Sequence, residues 1–265
     1  MKLRKLFYLI NILVLGLIIG CQDTKIIEVD LPYTEFTVVY GNMQADTSFE
    51  EVWITRTLPL NQTFNIEDAS IPNAIAYFVL DGMNVIPLRF SGAGKYKPFN
   101  SIYPEAGQTY ELFIEIDGNR FYAESKVPEP PTAGRVELID NYISLDVNTR
   151  ANESYGALWV YIDGRYITQA DEIHSLIESP GDGSVVTVRT KIIPDDVMDS
   201  NSSDNLYIYL YAFDKDFARY FNSKAKNSSV DNALTQGGSP IFTNVSGENV
   251  IGAFTASAKS LIELN

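Results

Sequence analysis

The chemistry in this sequence begins at Cys21, its single cysteine. Cys21 follows Gly20 at the end of an apolar run. A thiol after a small residue at that place is the pattern for diacylation of the sulfur and cleavage of the bond before it. The freed amino group is then open to a further acyl chain such as palmitate. Lys2, Arg4 and Lys5 supply a positive leader, and Leu6 to Ile19 form an apolar core of 14 residues broken only by Asn11. A spanning helix needs about 20 apolar residues, so residues 1–20 are expected to be a removable lipoprotein signal. Two or more acyl chains hold a protein firmly to a bilayer without a spanning segment. With Cys21 acylated, no thiol is left for a disulfide or a nucleophile.

Other reactive side chains are sparse. His174 is the only histidine, in the polar stretch Asp171-Glu172-Ile173-His174-Ser175. A Ser-His-Asp triad would have to use it, and its setting reads as a surface loop. Zinc sites rich in Cys or His are excluded by composition. Glycoside hydrolysis needs two carboxyls at a defined separation, which spacing among 34 acidic residues does not fix. The acidic loop at 194–204 offers oxygens suited to Ca²⁺ but lacks EF-hand spacing, and it reads as a solvated loop. Gly92-Ala93-Gly94 lacks the strand–turn–helix context of a nucleotide fingerprint. A non-enzymatic chain without metal or cofactor is therefore expected. Tyr207, Tyr209 and Tyr211 alternate with Leu206, Ile208 and Leu210. Alternation puts them on one face of a strand. Such a row serves sheet packing, or it stacks a glycan or peptide.

Charge narrows the partners. Without Lys2, Arg4 and Lys5, 17 basic residues face 34 acidic ones. That balance opposes nucleic-acid binding, which needs basic patches to displace counterions. It equally opposes broad contact with an anionic lipid surface.

The elements that must position these groups are strands. From Phe36 onward, short β-branched and aromatic runs alternate with turn signals, the pattern of an all-β sandwich. Strands are expected at 36–42, 51–57, 74–80, 85–90, 110–116 and 120–127. Asp81-Gly82 and Asp117-Gly118 mark hairpins, because Asp-Gly tolerates the positive φ of tight primed turns. Tyr110 is placed to act as a tyrosine corner. Val127-Pro128-Glu129-Pro130-Pro131 stiffens the chain and marks a boundary. Beyond it, strands are expected at 135–147, 157–163, 165–168, 185–193, 206–213, 241–245 and 250–256. A turn at Asp163-Gly164 and a loop at 227–240 separate some of them. Asp214 as N-cap, with Phe217, Tyr220, Phe221 and Lys224 at helical spacing, predicts a short helix near 214–226. The expected fold is all-β, with two consecutive β-sandwich-like domains, the first Ig- or transthyretin-like. The expected divisions are a signal at 1–20, a lipidated tether at 21–34, an N-terminal sandwich at 35–128 and a C-terminal β-rich domain at 129–265.

The motifs also fall in a telling order. Cys21 is followed by Ile27-Glu28-Val29-Asp30-Leu31-Pro32, and Thr55-Arg56-Thr57-Leu58-Pro59 follows a strand. Tyr96 precedes Pro104-Glu105-Ala106-Gly107-Gln108-Thr109-Tyr110-Glu111-Leu112. Tyr122-Ala123-Glu124-Ser125 leads to Val127-Pro128, and Gly252-Ala253-Phe254-Thr255-Ala256-Ser257 closes the chain. Together these resemble an uncharacterised family of Bacteroidota outer-membrane lipoproteins that carry a domain of unknown function. The resemblance implies a lipid-anchored β-rich protein of the outer membrane, exposed at the cell surface or facing the periplasm. It further implies a partner among outer-membrane β-barrels, often TonB-dependent transporters. An independent glycan- or peptide-binding module, and a subunit of a secretion or membrane-protein assembly machine, are the alternatives.

Overall fold

In the N-terminal half, buried and outward side chains alternate along each strand, and the alternation sets the architecture. The computed structural model describes residues 33–59, 61–163, 166–198, 205–226 and 242–264. Gly20, Cys21, nearly all of the tether, Gly164, residues 199–204 of the acidic loop and the 227–240 loop lie outside the described residues. Among the described residues, no helix is long and apolar enough to cross a membrane.

Seven strands precede the proline-rich connection: β1 (Thr37–Gln44), β2 (Val52–Arg56), β3 (Ile75–Leu80), β4 (Asn84–Phe90), β5 (Lys95–Pro98), β6 (Thr109–Ile116) and β7 (Asn119–Lys126). A single helical turn, α1 (Ile66–Ala69), joins β2 to β3. Val39, Met43, Val52, Ile54, Phe78 and Leu112 point inward and are completely buried. The Asp-Gly hairpins form as expected, with positive φ at Asp81, Gly82, Asp117 and Gly118. The Tyr110 ring is buried, but its hydroxyl donates to the Gln108 side chain at 2.9 Å rather than to the backbone. β5 was not expected. Its Lys-Tyr-Lys-Pro sequence is short and charged, and it forms by pairing with β2 on one side and β4 on the other.

The second half contributes β8 (Ala133–Ile139), β9 (Tyr142–Asn148), β10 (Glu153–Asp163), β11 (Tyr166–Gln169), β12 (Ile177–Glu178), β13 (Val185–Arg189), β14 (Leu206–Asp214) and β15 (Val250–Glu263). Helices α2 (Asp195–Met198) and α3 (Phe217–Lys226) lie between strands. The single strand expected at 135–147 is a hairpin, since Asp140 takes φ 51° and reverses the chain. Asp accepts that conformation because its short side chain tolerates the left-handed region. Residues 242–245 form no strand; Ser246 makes only an isolated bridge to Tyr122. β15 runs seven residues past the expected end, through an Ala/Ser-rich stretch with little intrinsic strand preference.

The protein is all-β in character, with two sheets in an open, sandwich-like arrangement. One sheet has twelve strands in the order β11-β10-β14-β15-β1-β2-β5-β4-β3-β6-β7, with β12 paired to β10. The other is β13-β9-β8. Two apolar clusters result. Ile143, Leu145, Val147 and Val188 of the small sheet cluster with Tyr155, Ala157, Trp159, Ile208 and Leu210 of the large one. The other cluster lies within the first half, but Val245, Val250, Phe254, Ala256 and Ala258 complete it. The junction is the parallel β1–β15 pair, in register from Thr37 with Val250 to Gln44 with Ser257. Gly252 makes it possible: φ is +144°, and a Cβ there would sit 1.8 Å from the Val39 carbonyl oxygen.

Candidate functional site

The outward positions of β4, β3, β6 and β7 build one continuous row. Register sets Pro87 opposite Tyr77, Tyr77 opposite Phe113 and Phe113 opposite Tyr122. Tyr77 and Phe113 stack, with centroids 5.3 Å apart and planes 12° apart. Phe113 meets Tyr122 at 5.1 Å and 60°. Strands lie about 4.8 Å apart, so the row spans roughly 15 Å across four strands. Ile75 and Val85 beside it are each 62% exposed, and Phe99, just past β5, is 61% exposed. Single exposed apolar residues are ordinary, but a contiguous patch marks a contact surface.

Each end of the row carries charge. At the β7 end, the Tyr122 hydroxyl lies 3.0 Å from Glu111 Oε1 and 3.0 Å from Glu124 Oε2. A phenol has one proton and donates to one carboxylate at a time. Burial, then the two glutamates, push its pKa far above that of a free tyrosine, so it stays neutral. At the opposite end, Glu51 binds Lys95 at 2.9 Å and Lys97 at 3.1 Å. Burial alone would raise the Glu51 pKa, but the two ammonium groups outweigh it and hold the carboxyl below its ordinary range. Lys95 also lies 4.6 Å over the Trp53 ring, and Arg89 lies 5.3 Å from the Phe99 ring. Stacking, cation–π and hydrogen-bonding groups on a rigid sheet suit binding.

The residues singled out from sequence sit elsewhere. Tyr207, Tyr209 and Tyr211 share one face of β14 and are half-buried. Tyr211 stacks on Phe213 and Phe213 on Phe217, at 5.6 Å and 4.0 Å, so the row continues into α3. The Lys259 ammonium lies 4.7 Å over Tyr209. His174 is exposed in the loop after β11. Among the described residues, no group of three or more His, Cys, Asp or Glu is arranged to hold a metal.

Asp214 does more than the helix capping expected of it. Its Oδ1 accepts from the Phe217 amide at 2.9 Å, which ties down the start of α3. Its Oδ2 accepts from the Ala256 amide at 2.9 Å and from the Ser125 hydroxyl. One buried carboxyl thus joins β7, β14, β15 and α3. Burial raises its pKa to about 6, against the opposing pull of Ser125, Phe217 and Ala256. Glu153 stands opposite it in the β10–β14 register. Burial raises the Glu153 pKa as well, and the Tyr155 hydroxyl donates to it at 2.6 Å. Both carboxyls border a polar cleft of about 500 Å³ shared with Arg150, Asp182 and Asp216. Their hydrogen bonds run into the framework, which makes them tie points between strands.

The fold and its outer face define an all-β, open sandwich-like protein with an aromatic row on one exposed sheet surface. The chain belongs to the family described as a domain of unknown function (DUF4249), whose family model matches residues 24–262. The membership of an uncharacterised domain family read from the motifs is thereby established. No curated protein matches the chain. Among solved structures it is similar to one titled "Biofilm associated protein - BSP domain", at 11% identity and a TM-score of 0.23, over 67% of this chain and 26% of that one. The match therefore spans only about a quarter of that protein, and at such a TM-score it carries no argument.

Proposed function

We propose that this protein is a non-enzymatic, lipid-anchored module of the outer membrane that works by docking a β-barrel partner there. Acylated Cys21 holds it to the bilayer, and the outer face of β3, β4, β6 and β7 makes the protein contact. The observation that carries this reading is the Pro87–Tyr77–Phe113–Tyr122 row with exposed Ile75 and Val85 beside it. Aromatic residues at the centre of a patch and charged groups at its rim are the anatomy of a protein interface. Glu111, Glu115, Glu124 and Arg120 supply such a rim. A nutrient importer of the TonB-dependent class is the partner the motif order favours.

Affinity purification from detergent-solubilised native outer membranes tests this, with the wild type beside a Tyr77→Ser/Phe113→Ser variant. A β-barrel identified by mass spectrometry should accompany the wild type and fall at least tenfold with the variant. Recovery of the lipoprotein alone, under conditions that keep other outer-membrane complexes intact, counts against docking. A secretion or assembly machine in place of a transporter would redirect the partner assignment. Cys21→Ser should release the protein from membranes, which separates anchoring from docking.

A further inference from the structure

The cationic end of the sheet face carries an arrangement that neither the fold nor barrel docking explains. Arg89 on β4 and Lys97 on β5 are directly opposite in register. Like charges directly opposite one another destabilise a sheet. Lys95, two residues along the same face, adds a third cation. Glu51 engages Lys95 and Lys97 with its two oxygens, while among the described residues the Arg89 guanidinium rests only against the exposed Phe99 ring. Arg89 is itself exposed, with its planar donors free to face a ligand. Lys95, Lys97, Glu51 and Phe99 line a mostly polar cleft of about 480 Å³ together with Glu50, Asn100 and Ser101, and Arg89 flanks it, opposite Lys97 in register and beside the Phe99 ring. The concentration of cations is unusual in a chain of formal charge −14.

We propose that this cleft binds an acidic saccharide, a sugar unit carrying a carboxylate, with the carboxylate between Lys97 in the cleft and Arg89 at its edge and an apolar sugar face on Phe99. The guanidinium fork matches a carboxylate in two parallel hydrogen bonds. The exposed Phe99 ring beside that fork is the kind of surface a pyranose stacks on. Asn100, Ser101 and Glu50 provide partners for ring hydroxyls. β5 is paired with β4 along Tyr96–Pro98 and with β2 at Lys95 and Tyr96, which holds the cleft's lysines on a fixed strand. The exposed Phe99 ring and the Asn100 and Ser101 side chains in the cleft suit a ring-shaped, polyhydroxylated ligand better than an acidic peptide. The site adjoins the aromatic row but does not depend on a protein partner, so it is measurable on the isolated protein.

Calorimetric titration of the full chain in detergent tests the assignment. The probes are a galacturonate trisaccharide, a neutral galactose trisaccharide, a hexaglutamate peptide and sodium sulfate, all at one salt concentration. The galacturonate trisaccharide should bind at least tenfold more tightly than each of the other three. Arg89→Gln and Lys97→Gln together should weaken it at least tenfold, and Arg89→Lys, which keeps the charge, should weaken it less than Arg89→Gln alone. Thermal unfolding midpoints matching the wild type show that the variants are folded. Arg89→Gln alone, at an exposed position, serves if the double variant is not folded. The proposal fails if the galacturonate probe does not bind, if the neutral sugar, peptide or sulfate binds equally well, or if the folded variants bind unchanged.

Discussion

At the residue scale, the most informative group is the buried carboxyl of Asp214. Its folded pKa of about 6 lies above the ordinary aspartate value of 3.8. Between those two values the folded protein holds a proton that the unfolded chain has released. Stability from this group therefore falls as pH rises from about 4 to about 6, and it grows as pH falls through that window. The full shift corresponds to roughly 3 kcal/mol at most, at about 1.36 kcal/mol per pKa unit. Asp214→Asn keeps one acceptor for the Phe217 amide, but it turns an NH₂ toward the Ala256 amide or the Ser125 hydroxyl. Loss of a buried acceptor should cost about 1–3 kcal/mol. The expected result in urea unfolding is a destabilised variant at pH 7. As pH is lowered to 5, the stability difference between wild type and variant should widen in favour of the wild type. A difference that stays constant over that range would remove Asp214 as the titrating group.

At the element scale, the hairpins were legible and the sheet that assembles them was not. Asp117-Gly118 fixes Ile116 opposite Asn119, and counting back along both strands already pairs Phe113 with Tyr122. At Asp81-Gly82 the loop takes in Met83 as a third residue, so Leu80 meets Asn84 and Tyr77 meets Pro87, one place from the register a two-residue turn would give. The β3–β6 pairing joins the two half-rows into one site, and it is long-range. No local turn chemistry reports such a pairing, so the row was missed. β5 was hidden because two lysines and a proline in four residues carry no strand signature. The last strand ends later than its local signal for the opposite reason, since the Ala and Ser residues at 256–260 are strand-neutral and are held by β1 up to Ser257 and by β14 from Ser257 onward. Its pairing with β1 depends on Gly252. Ala in that position meets the Val39 carbonyl oxygen at 1.8 Å and must also hold a φ of +144°. Gly252→Ala should cost about 3 kcal/mol or more, because both the backbone conformation and the strand contact are lost. A shift of the urea midpoint to lower concentration, with an unchanged slope, is the expected reading. Wild-type stability in the variant would mean that the β1–β15 junction is not as tight as described.

At the scale of the whole molecule, the proline-rich connection is crossed by the sheet. Residues Thr34–Asn265 form one compact unit. Phe254, fully buried, stacks on Phe78 at 5.6 Å and 22°, so a ring from the last strand sits in the core of the first half. Burying one such side chain contributes about 1.5–3 kcal/mol. Val245, Val250, Ala256 and Ala258 add to the same cluster. Small domains are marginally stable, with about 5–15 kcal/mol between folded and unfolded states. Losing the whole strand therefore removes a share comparable to the total. Residues 33–128 made alone should lack cooperative unfolding and should expose apolar surface, read as enhanced binding of a hydrophobic dye. The full chain should unfold in one transition when followed by far-ultraviolet circular dichroism and by tryptophan fluorescence, because Trp53 and Trp159 report on the two halves. Two separated transitions, or a fragment 33–128 that melts cooperatively near the full-chain midpoint, would show that the shared strand does not couple the halves. The sheet face that carries Tyr77, Phe113 and Arg89 would then be formed by the first half alone.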